Sequence, residues 1–293
     1  MNHFDYNSPV NIKSFLEENS MAMQKKFGQN FLINEAARKR IASCLPLEKG
    51  SLVWEVGPGL GCMTELFLEA GACVRVFEID KGFIKSLKKI FAQEIENGSL
   101  VISEGDVLKN WKKEYALLSE DQKKNIFLAG NLPYNIAATF IASTIEENIA
   151  FKKCVFTVQK EVAERMCAKP SDKNYSAFSV LCSRLYDVKT EFEIGPANFW
   201  PRPNVSSKTS VLQKIENPPE CEPKLFVKLV HALFSSRRKT ILNNIKGLLP
   251  PDTDAKAFLT EAGTEPSLRA ENLSAEDFAS LSMALSKIIK NAG

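Results

Sequence analysis

The chain has 293 residues, 44% of them hydrophobic and 25% charged, a composition typical of a globular protein with one large domain and a smaller companion. Its formal net charge is only +3, so charge alone neither requires nor excludes a nucleic-acid partner. No two of its seven cysteines are spaced as metal ligands and there are only two histidines, which argues against a zinc site and favours reduced thiols in a cytoplasmic protein.

The sequence opens with two predicted helices rather than with a membrane or secretion segment. Ser8 is suited to cap a helix over residues 8–19, and Asn34 to cap a second helix that ends at Ala42. The N-terminal residues lack the charged-then-apolar pattern of a secretion signal. No apolar run approaches the roughly 20 residues that span a bilayer, so we expect no membrane contact.

From residue 51 onward, short apolar strands alternate with amphipathic helices. Strands are predicted at residues 52–56, 72–77, 100–103, 125–129 and 154–158. Helices are predicted to about residue 70 and at 81–95, then to about residue 147 and at 160–167. Such alternation predicts an α/β fold with a parallel, doubly wound sheet. Residues 185–215 are predicted to add a late pair of strands.

The composition changes at the pair Pro218-Pro219. Beyond it no strand pattern continues, and amphipathic helices are predicted at residues 224–234, 238–248, 254–262 and 275–289. We therefore divide the chain into two domains. Residues 1–216 form a Rossmann-like domain with an N-terminal helical extension, and residues 217–293 form a small all-helical domain.

A glycine-rich turn, Gly57-Pro58-Gly59-Leu60-Gly61, joins the first strand to its helix. Glycines let the backbone turn sharply and approach a ligand closely, although such a turn alone is as often purely structural. Glu78 follows the second strand, 21 positions after Gly57, where a carboxylate reaches ribose hydroxyls. The G-x-G-x-G spacing departs from the dinucleotide fingerprint and favours a ligand without a pyrophosphate.

Asp106 follows the third strand, in Glu104-Gly105-Asp106. A carboxylate at this position can accept a hydrogen bond from an adenine amine, so the residue is a candidate for base recognition. A solvated turn aspartate is an equally good interpretation of Asp106 taken alone.

A second loop, Asn131-Leu132-Pro133-Tyr134, follows the fourth strand at the edge of the sheet where ligands bind. An adenine amine is a poor nucleophile because its lone pair is delocalised into the ring. Two acceptors on its hydrogens favour the pyramidal form that attacks a methyl group. The Asn131 oxygen and a carbonyl beside Pro133 are the candidate acceptors, and Tyr134 is the candidate to stack on the base. The alternative is a loop in which Asn and Pro only make a turn.

A base inside RNA must be unstacked to reach such a pocket. Phe199, in Phe199-Trp200-Pro201-Arg202-Pro203, is a second candidate to stack on that base. The alternative is that Phe199 belongs to the hydrophobic core.

The basic run Arg237-Arg238-Lys239 is predicted to open a helix and to contact RNA phosphates, because lysine and arginine neutralise the nucleic-acid backbone. Cations at a helix N-terminus oppose the helix dipole, so local stability does not explain the run. The alternative is a solvated helix end.

Taken together, these segments resemble the bacterial small-subunit rRNA adenine dimethyltransferases of the rRNA adenine N6-methyltransferase family. Asp106 after Gly105 also matches, and the resemblance covers about residues 25–245. The matching segments are FGQNFL (27–32), EVGPGLG (55–61), EID (78–80), GNLPY (130–134), QKEV (159–162), FWPRPNVS (199–206) and SRRKTILNN (236–244).

The resemblance implies a Rossmann-like methyltransferase sheet and S-adenosylmethionine as methyl donor. It implies dimethylation of two adjacent adenosines near the 3′ end of small-subunit rRNA during ribosome assembly. We expect a monomeric cytoplasmic enzyme without a metal. The implied catalytic residues are Asn131, Leu132, Pro133, Tyr134 and Phe199. The implied cofactor contacts are Asn30, Leu32, Gly57, Gly59, Glu78, Asp106 and Asn131.

Three alternatives are weaker. The related Erm resistance methyltransferases usually carry a small polar and a basic residue where this chain has Pro58 and Leu60. A nicotinamide-dependent oxidoreductase is disfavoured by the glycine spacing and by the Asn-Leu-Pro-Tyr loop. A non-catalytic RNA-binding assembly factor is disfavoured by the intact Asn131, Tyr134 and Glu78. One departure from the family pattern is Trp200, where smaller residues are common.

Overall fold

A computed structural model describes residues 4–19, 21, 30–132 and 134–292. Residues 27–29 of the FGQNFL segment, and Pro133, lie outside the described residues. The strands are β1 (Phe31–Leu32), β2 (Leu52–Val56), β3 (Cys73–Glu78), β4 (Leu100–Glu104), β5 (Phe127–Asn131), β6 (Lys153–Gln159), β7 (Tyr186–Ile194), β8 (Phe199–Trp200) and β9 (Ser207–Lys214). The helices are α1 (Pro9–Glu18), α2 (Glu35–Ala42), α3 (Cys62–Glu69), α4 (Lys81–Ile90), α5 (Ala92–Glu96), α6 (Val107–Ala116), α7 (Glu120–Asn125), α8 (Tyr134–Glu146), α9 (Lys160–Cys167), α10 (Ala177–Leu185), α11 (Pro223–Leu233), α12 (Ile241–Ile245), α13 (Ala255–Glu261) and α14 (Ala275–Ala292).

Seven strands form the main sheet, in the order β4-β3-β2-β5-β6-β9-β7. The pairs that join β2, β3, β4, β5 and β6 are all parallel, which confirms the predicted α/β class with a Rossmann-like sheet. The strands add to one side from β2 to β4 and to the other side from β5 onward. The order in which strands are added therefore reverses between β2 and β5. Ligands bind at such a reversal point in open α/β folds.

The middle of this sheet forms the main hydrophobic core. Val53, Trp54 and Val76 are completely buried, and Phe67 of α3 and Leu87 of α4 pack against the same sheet. Strands buried on both faces read as continuous apolar runs, which is why these strands are visible in the sequence. A separate two-stranded antiparallel sheet pairs Leu32 of β1 with Phe199 of β8.

The helix predicted at residues 81–95 is two helices, α4 and α5, because the backbone at Phe91 leaves the helical conformation (φ −110°, ψ 35°). The Phe91 ring packs where a side chain at Gly61 would be, since a Cβ there would lie 2.4 Å from Phe91 Cε2. The residue at which α4 ends thus packs against the glycine-rich turn.

The chain divides into two compact units. The first comprises Met1–Ala137, Phe151–Ala163 and Thr190–Leu212, and the second comprises Ala138–Ala150, Glu164–Lys189 and Gln213–Gly293. In the second unit, the ring of Phe278 stacks on Phe234 at 5.9 Å. The predicted helical C-terminal region is present, whereas the domain boundary after residue 216 stays a prediction. Within the described ranges, none of the helices is long and apolar enough to cross a bilayer.

Candidate cofactor and acceptor site

The glycine-rich turn after β2 requires its glycines. Gly59 and Gly61 have φ of +59° and +90°, a region that L side chains rarely adopt. A Cβ on Gly59 would lie 3.4 Å from the Phe31 ring, so β1 comes close to the turn. The Phe31 ring, which belongs to the FGQNFL segment, therefore covers the turn closely.

A cavity of about 370 Å³ opens in the first unit, where β2, β3 and β5 end. Its volume lies in the range of small-molecule sites. All the residues predicted to contact the cofactor line it: Asn30, Leu32, Gly57, Gly59, Glu78, Asp106 and Asn131. The structure thus brings together residues that are up to 101 positions apart in the chain.

Glu78, the last residue of β3, is buried in this cavity with 5% of its surface exposed. Its Oε1 accepts hydrogen bonds from the backbone N–H groups of Ile79 and Asp80, both at 2.8 Å, and its Oε2 accepts one from Gly59 at 3.2 Å. Burial raises the pKa of Glu78 to about 6, against these hydrogen bonds, which lower it. A carboxylate offers about four acceptor positions, so Oε2 retains capacity for a ribose hydroxyl.

Asp106 has a local role as well as a place in the cavity. Its Oδ1 accepts a hydrogen bond from Leu108 N at 2.9 Å and so caps the N-terminus of α6. The side chain is half-buried rather than fully solvated. The cap accounts for one carboxylate oxygen and leaves Oδ2 as the candidate acceptor for an adenine amine.

Sequence reasoning assigned no role to Glu55, which lies in β2 and also lines the cavity. The side chain is 3% exposed, and its Oε2 accepts a hydrogen bond from Thr64 Oγ1 at 2.6 Å. The pKa of Glu55 is raised to about 7, mainly by burial and also by the nearby Glu78 carboxylate, against the Thr64 hydrogen bond, which lowers it. A single acid inside the apolar run Leu52–Val56 was the signal in the sequence, because an acid is rarely fully buried without a partner and perturbed acids cluster at functional sites.

We expect the Glu55→Gln variant to be more stable than the wild type at pH 8, but not at pH 4. The pKa of the folded state, about 7, lies above the ordinary value of 4.5. The stability that comes from the bound proton is therefore complete below pH 4.5 and is lost as the pH rises through 7, an effect of roughly 3 kcal/mol. Urea unfolding of both proteins at the two pH values measures it; an equal difference at pH 4 and pH 8 would contradict a protonated Glu55.

The acceptor loop begins at Asn131, the exposed last residue of β5. Its Nδ2 donates a hydrogen bond to the carbonyl of Asn30 at 3.2 Å, which joins the loop to the residue before β1. Leu132 is 6% exposed and lines the cavity. Tyr134 begins α8. The Asn30 bond uses the amide nitrogen, so the Asn131 oxygen is the atom that can accept from a substrate amine.

Phe199 is a core residue in this structure. It is 4% exposed and packs in the main hydrophobic cluster, and its β8 strand pairs with Leu32 of β1. Stacking of Phe199 on a flipped base, which would require this side chain to move, stays a prediction. The neighbouring Trp200 is half-buried and stacks on Phe31, with ring centroids 6.2 Å apart and planes at 16°.

The basic run does not open a helix as predicted. Arg237, Arg238 and Lys239 lie in a turn, and α12 begins only at Ile241, after an extended Thr240 (φ −69°, ψ 160°). The Asn244 amide donates hydrogen bonds to the carbonyls of Leu233 and Ser236 at 2.7 and 3.1 Å, which closes this turn. The three cations are thus exposed on a loop of the second unit, where the opposition of a helix dipole is weaker.

One of the three cations has a structural partner. Arg237 Nη2 lies 3.0 Å from Glu271 Oε2 and donates to the carbonyl of Lys173 at 3.4 Å. Arg238 and Lys239 are exposed. The run therefore contains one cation that holds neighbouring loops together and two that are better placed for phosphate.

The chain has the architecture of a Rossmann-like methyltransferase: parallel central strands, a nucleoside-sized cavity at their reversal point, an acid at the end of β3, and Asn131 and Leu132 in the cavity wall. The family model for ribosomal RNA adenine dimethylase matches residues 21–287. The chain belongs to the ribosomal RNA adenine dimethylase family.

Individual relatives agree with the family model. The chain is 49% identical to ribosomal RNA small subunit methyltransferase A of Treponema denticola, over 95% of this chain and 94% of the relative. It is 41% identical to the protein of the same name from Treponema pallidum, over 97% and 99% of the two chains. Among solved structures, it resembles a dimethyladenosine transferase from Plasmodium falciparum with a TM-score of 0.68 and 25% identity, over 87% of this chain and 96% of the other.

Proposed function

We propose that the protein transfers methyl groups from S-adenosylmethionine to the exocyclic amines of two adjacent adenosines near the 3′ end of small-subunit rRNA. The products are dimethyladenosines made during ribosome biogenesis. Family membership supports rRNA adenine dimethylation, and the names of the relatives support the small subunit. The observation that carries the proposal is the convergence of the seven cofactor candidates on one cavity, with the acceptor loop at its edge.

The residues around the cavity fit S-adenosylmethionine. Glu78 offers a carboxylate for the ribose hydroxyls, and Asp106 an oxygen for the adenine amine. Phe31, Met63 and Phe77 supply apolar walls for the adenine and the aliphatic part of the donor. When bound, the donor supplies an electrophilic methyl group on a positively charged sulfur.

The proposed role of Asn131 follows from the separate contacts of its side-chain amide nitrogen and oxygen. Its amide nitrogen is held by the Asn30 carbonyl, so the side-chain oxygen is presented in a fixed orientation. We infer that this oxygen accepts one hydrogen of the adenine amine, and that a carbonyl beside Pro133 accepts the other. This arrangement holds the amine nitrogen in its pyramidal, nucleophilic form. The nitrogen sheds a proton to water after it attacks, so a side-chain base is not required. Tyr134 is proposed to stack on the base.

We expect Glu78→Ala to weaken S-adenosylmethionine binding by about 10- to 150-fold, because loss of hydrogen bonds to a charged group costs roughly 1.5–3 kcal/mol. The fold should persist, because the variant also removes a carboxylate whose burial raises its pKa to about 6. Calorimetric titration measures the affinity. Glu114→Ala, which removes the carboxylate paired with Arg75, is a control for the loss of a partly buried acid. Wild-type affinity in Glu78→Ala would reject the ribose contact.

The central experiment incubates the protein with labelled S-adenosylmethionine and small ribosomal subunits that lack the modification, and then maps the label. We expect two methyls on each of two adjacent adenosines near the 3′ end. Label in large-subunit rRNA instead would favour an Erm-like activity. Binding of a nicotinamide dinucleotide without any methyl transfer would favour an oxidoreductase.

We further propose that the enzyme acts as a cytoplasmic monomer and that transfer needs no metal. Light scattering on the purified protein measures its mass, for which a monomer of 32.7 kDa is expected. Methyl transfer in excess EDTA should equal transfer in its absence. A dimer mass, or activity that EDTA abolishes and a divalent cation restores, would contradict these two parts separately.

A further inference from the structure

Residues 4–19, which we call the N-terminal segment, pack directly against the glycine-rich turn. Tyr6, Ile12 and Leu16 are 1–4% exposed and form a hydrophobic cluster with Leu60, which is 1% exposed, and with Phe83. Leu60 is the residue between the second and third glycines of the turn. The outer side of the turn is thus covered by a segment whose side chains do not line the cofactor cavity.

The segment also controls the orientation of one peptide in the turn. The Tyr6 hydroxyl donates a hydrogen bond to the carbonyl of Leu60 at 3.1 Å, and this bond is buried. The N–H of the same peptide belongs to Gly61, and it donates to the Pro58 carbonyl at 2.9 Å. Both ends of the Leu60–Gly61 peptide are therefore fixed. A rotated peptide would leave the Leu60 carbonyl buried without this partner, and burying a polar group unpaired is costly.

The inner side of the turn is fixed by a different residue. The N–H of Gly59 donates to Glu78 Oε2 at 3.2 Å, and Gly57 N donates to the Phe77 carbonyl at 3.0 Å. Alternate peptides of the turn are thus fixed, two by β3 on the inner side and one by the N-terminal segment on the outer side. Since glycine at positive φ tolerates several backbone conformations, these bonds select one of them.

Arg38 of α2 ties the N-terminal segment to the cavity. Its Nη1 donates to the Leu32 carbonyl at 2.8 Å and its Nη2 to Asn7 Oδ1 at 2.9 Å. The guanidinium carbon lies 5.7 Å from the centre of the Tyr6 ring, and Arg38 is 4% exposed. One buried cation therefore connects Asn7 and Tyr6 of the segment to Leu32, which lines the cavity.

We propose that Tyr6 is a positioning residue for the methyl donor: its hydroxyl fixes the Leu60–Gly61 peptide and so sets the affinity of the cavity for S-adenosylmethionine. The inference rests on the proposed function, because it takes that donor as the ligand of the cavity. Burial raises the pKa of Tyr6 well above its ordinary value, so the hydroxyl remains a hydrogen-bond donor throughout the physiological range.

The test compares two tyrosines whose hydroxyls each donate a buried hydrogen bond to a backbone carbonyl, one beside the cavity and one away from it. Tyr6→Phe removes one buried hydroxyl–carbonyl bond beside the cavity. Tyr175→Phe removes one of the same kind in the second unit, where the hydroxyl donates to the Leu273 carbonyl at 2.8 Å. We expect both variants to lose similar stability, but only Tyr6→Phe to bind S-adenosylmethionine about three- to tenfold more weakly by calorimetry. Its KM for the donor should rise by the same factor, with kcat at saturation unchanged.

Hydrogen exchange separates a local effect from a general loss of stability when two amides are compared within each variant. In Tyr6→Phe, the Gly61 amide should lose more protection than the Gly57 amide. In Tyr175→Phe, the two amides should change equally. Asn7→Ala removes the hydrogen bond between the segment and Arg38 and should also weaken donor binding, by a smaller factor.

Two results would overturn the inference. The first is wild-type donor affinity in a folded Tyr6→Phe protein. The second is equal weakening in Tyr6→Phe and Tyr175→Phe, which would make the effect one of general destabilisation. Failure of the wild-type protein itself to bind S-adenosylmethionine would instead refute the proposed function, so the two ideas fail by different outcomes.

Discussion

Replacing Asn131 with alanine is expected to slow methyl transfer by about 100- to 1000-fold, the usual cost of removing one positioned polar group from an active site. The fold should survive, because Asn131 is exposed at the end of β5 and its side chain makes a long-range hydrogen bond, 3.2 Å, to the Asn30 carbonyl rather than packing in the core. The loss should therefore fall on the chemical step rather than on stability.

Single-turnover transfer with enzyme in excess over small subunits isolates that step from product release. Asn131→Asp separates the two ends of the side chain, because it keeps an acceptor oxygen and loses the donation to Asn30. We expect it to retain more activity than the alanine variant. Asn125→Ala, which removes an exposed amide that donates to the Asp121 carbonyl at 3.0 Å, is the matched control. A near-normal rate in Asn131→Ala would refute the proposed role of the acceptor loop.

The strands of the main sheet could be predicted because each is marked by residues that lie close together in the sequence. Each strand is a short apolar run bounded by turn residues, and the helices that follow β2 and β3 have one apolar face. Helix α10 was not predicted: seven of its nine residues are buried, and these include the polar Ser179 and Arg184, so its polar residues do not mark an exposed face.

Five of the seven cavity-lining candidates, Gly57, Gly59, Glu78, Asp106 and Asn131, could be picked out because they lie in short motifs at or just after strand ends. Asn30 and Leu32 follow only from the family resemblance, and the cofactor contacts of all seven stay predictions.

Contacts between distant segments could not be predicted. The Tyr6–Leu60 bond spans 54 positions and the Arg38–Asn7 bond 31, and neither residue pair shows a spacing pattern. The wrong helix start at residue 238 has the same origin, since Asn244 closes the turn by bonding to residues that precede it by 8 and 11 positions.

Replacing Arg237, Arg238 and Lys239 together with glutamine is expected to weaken binding to small subunits or rRNA, with donor binding unchanged. Each phosphate contact adds about 0.7–0.9 to the slope of log affinity against log salt concentration, so the slope should become shallower by up to about three. The variant lowers the formal net charge from +3 to 0. A control with Lys256, Lys287 and Lys290 replaced by glutamine makes the same change on other exposed residues of the second unit.

The three cations are expected to contribute unequally to the change in salt dependence. Arg237 is already paired with Glu271 at 3.0 Å, so its release to a phosphate would break an existing contact. The double variant of Arg238 and Lys239 should therefore account for most of the change, about two in the slope, while Arg237→Gln alone should change it little. The slope counts displaced ions, so a general loss of stability in the second unit does not imitate it. Binding and slope that stay at wild-type values in the triple variant would show that these cations are ordinary solvated surface.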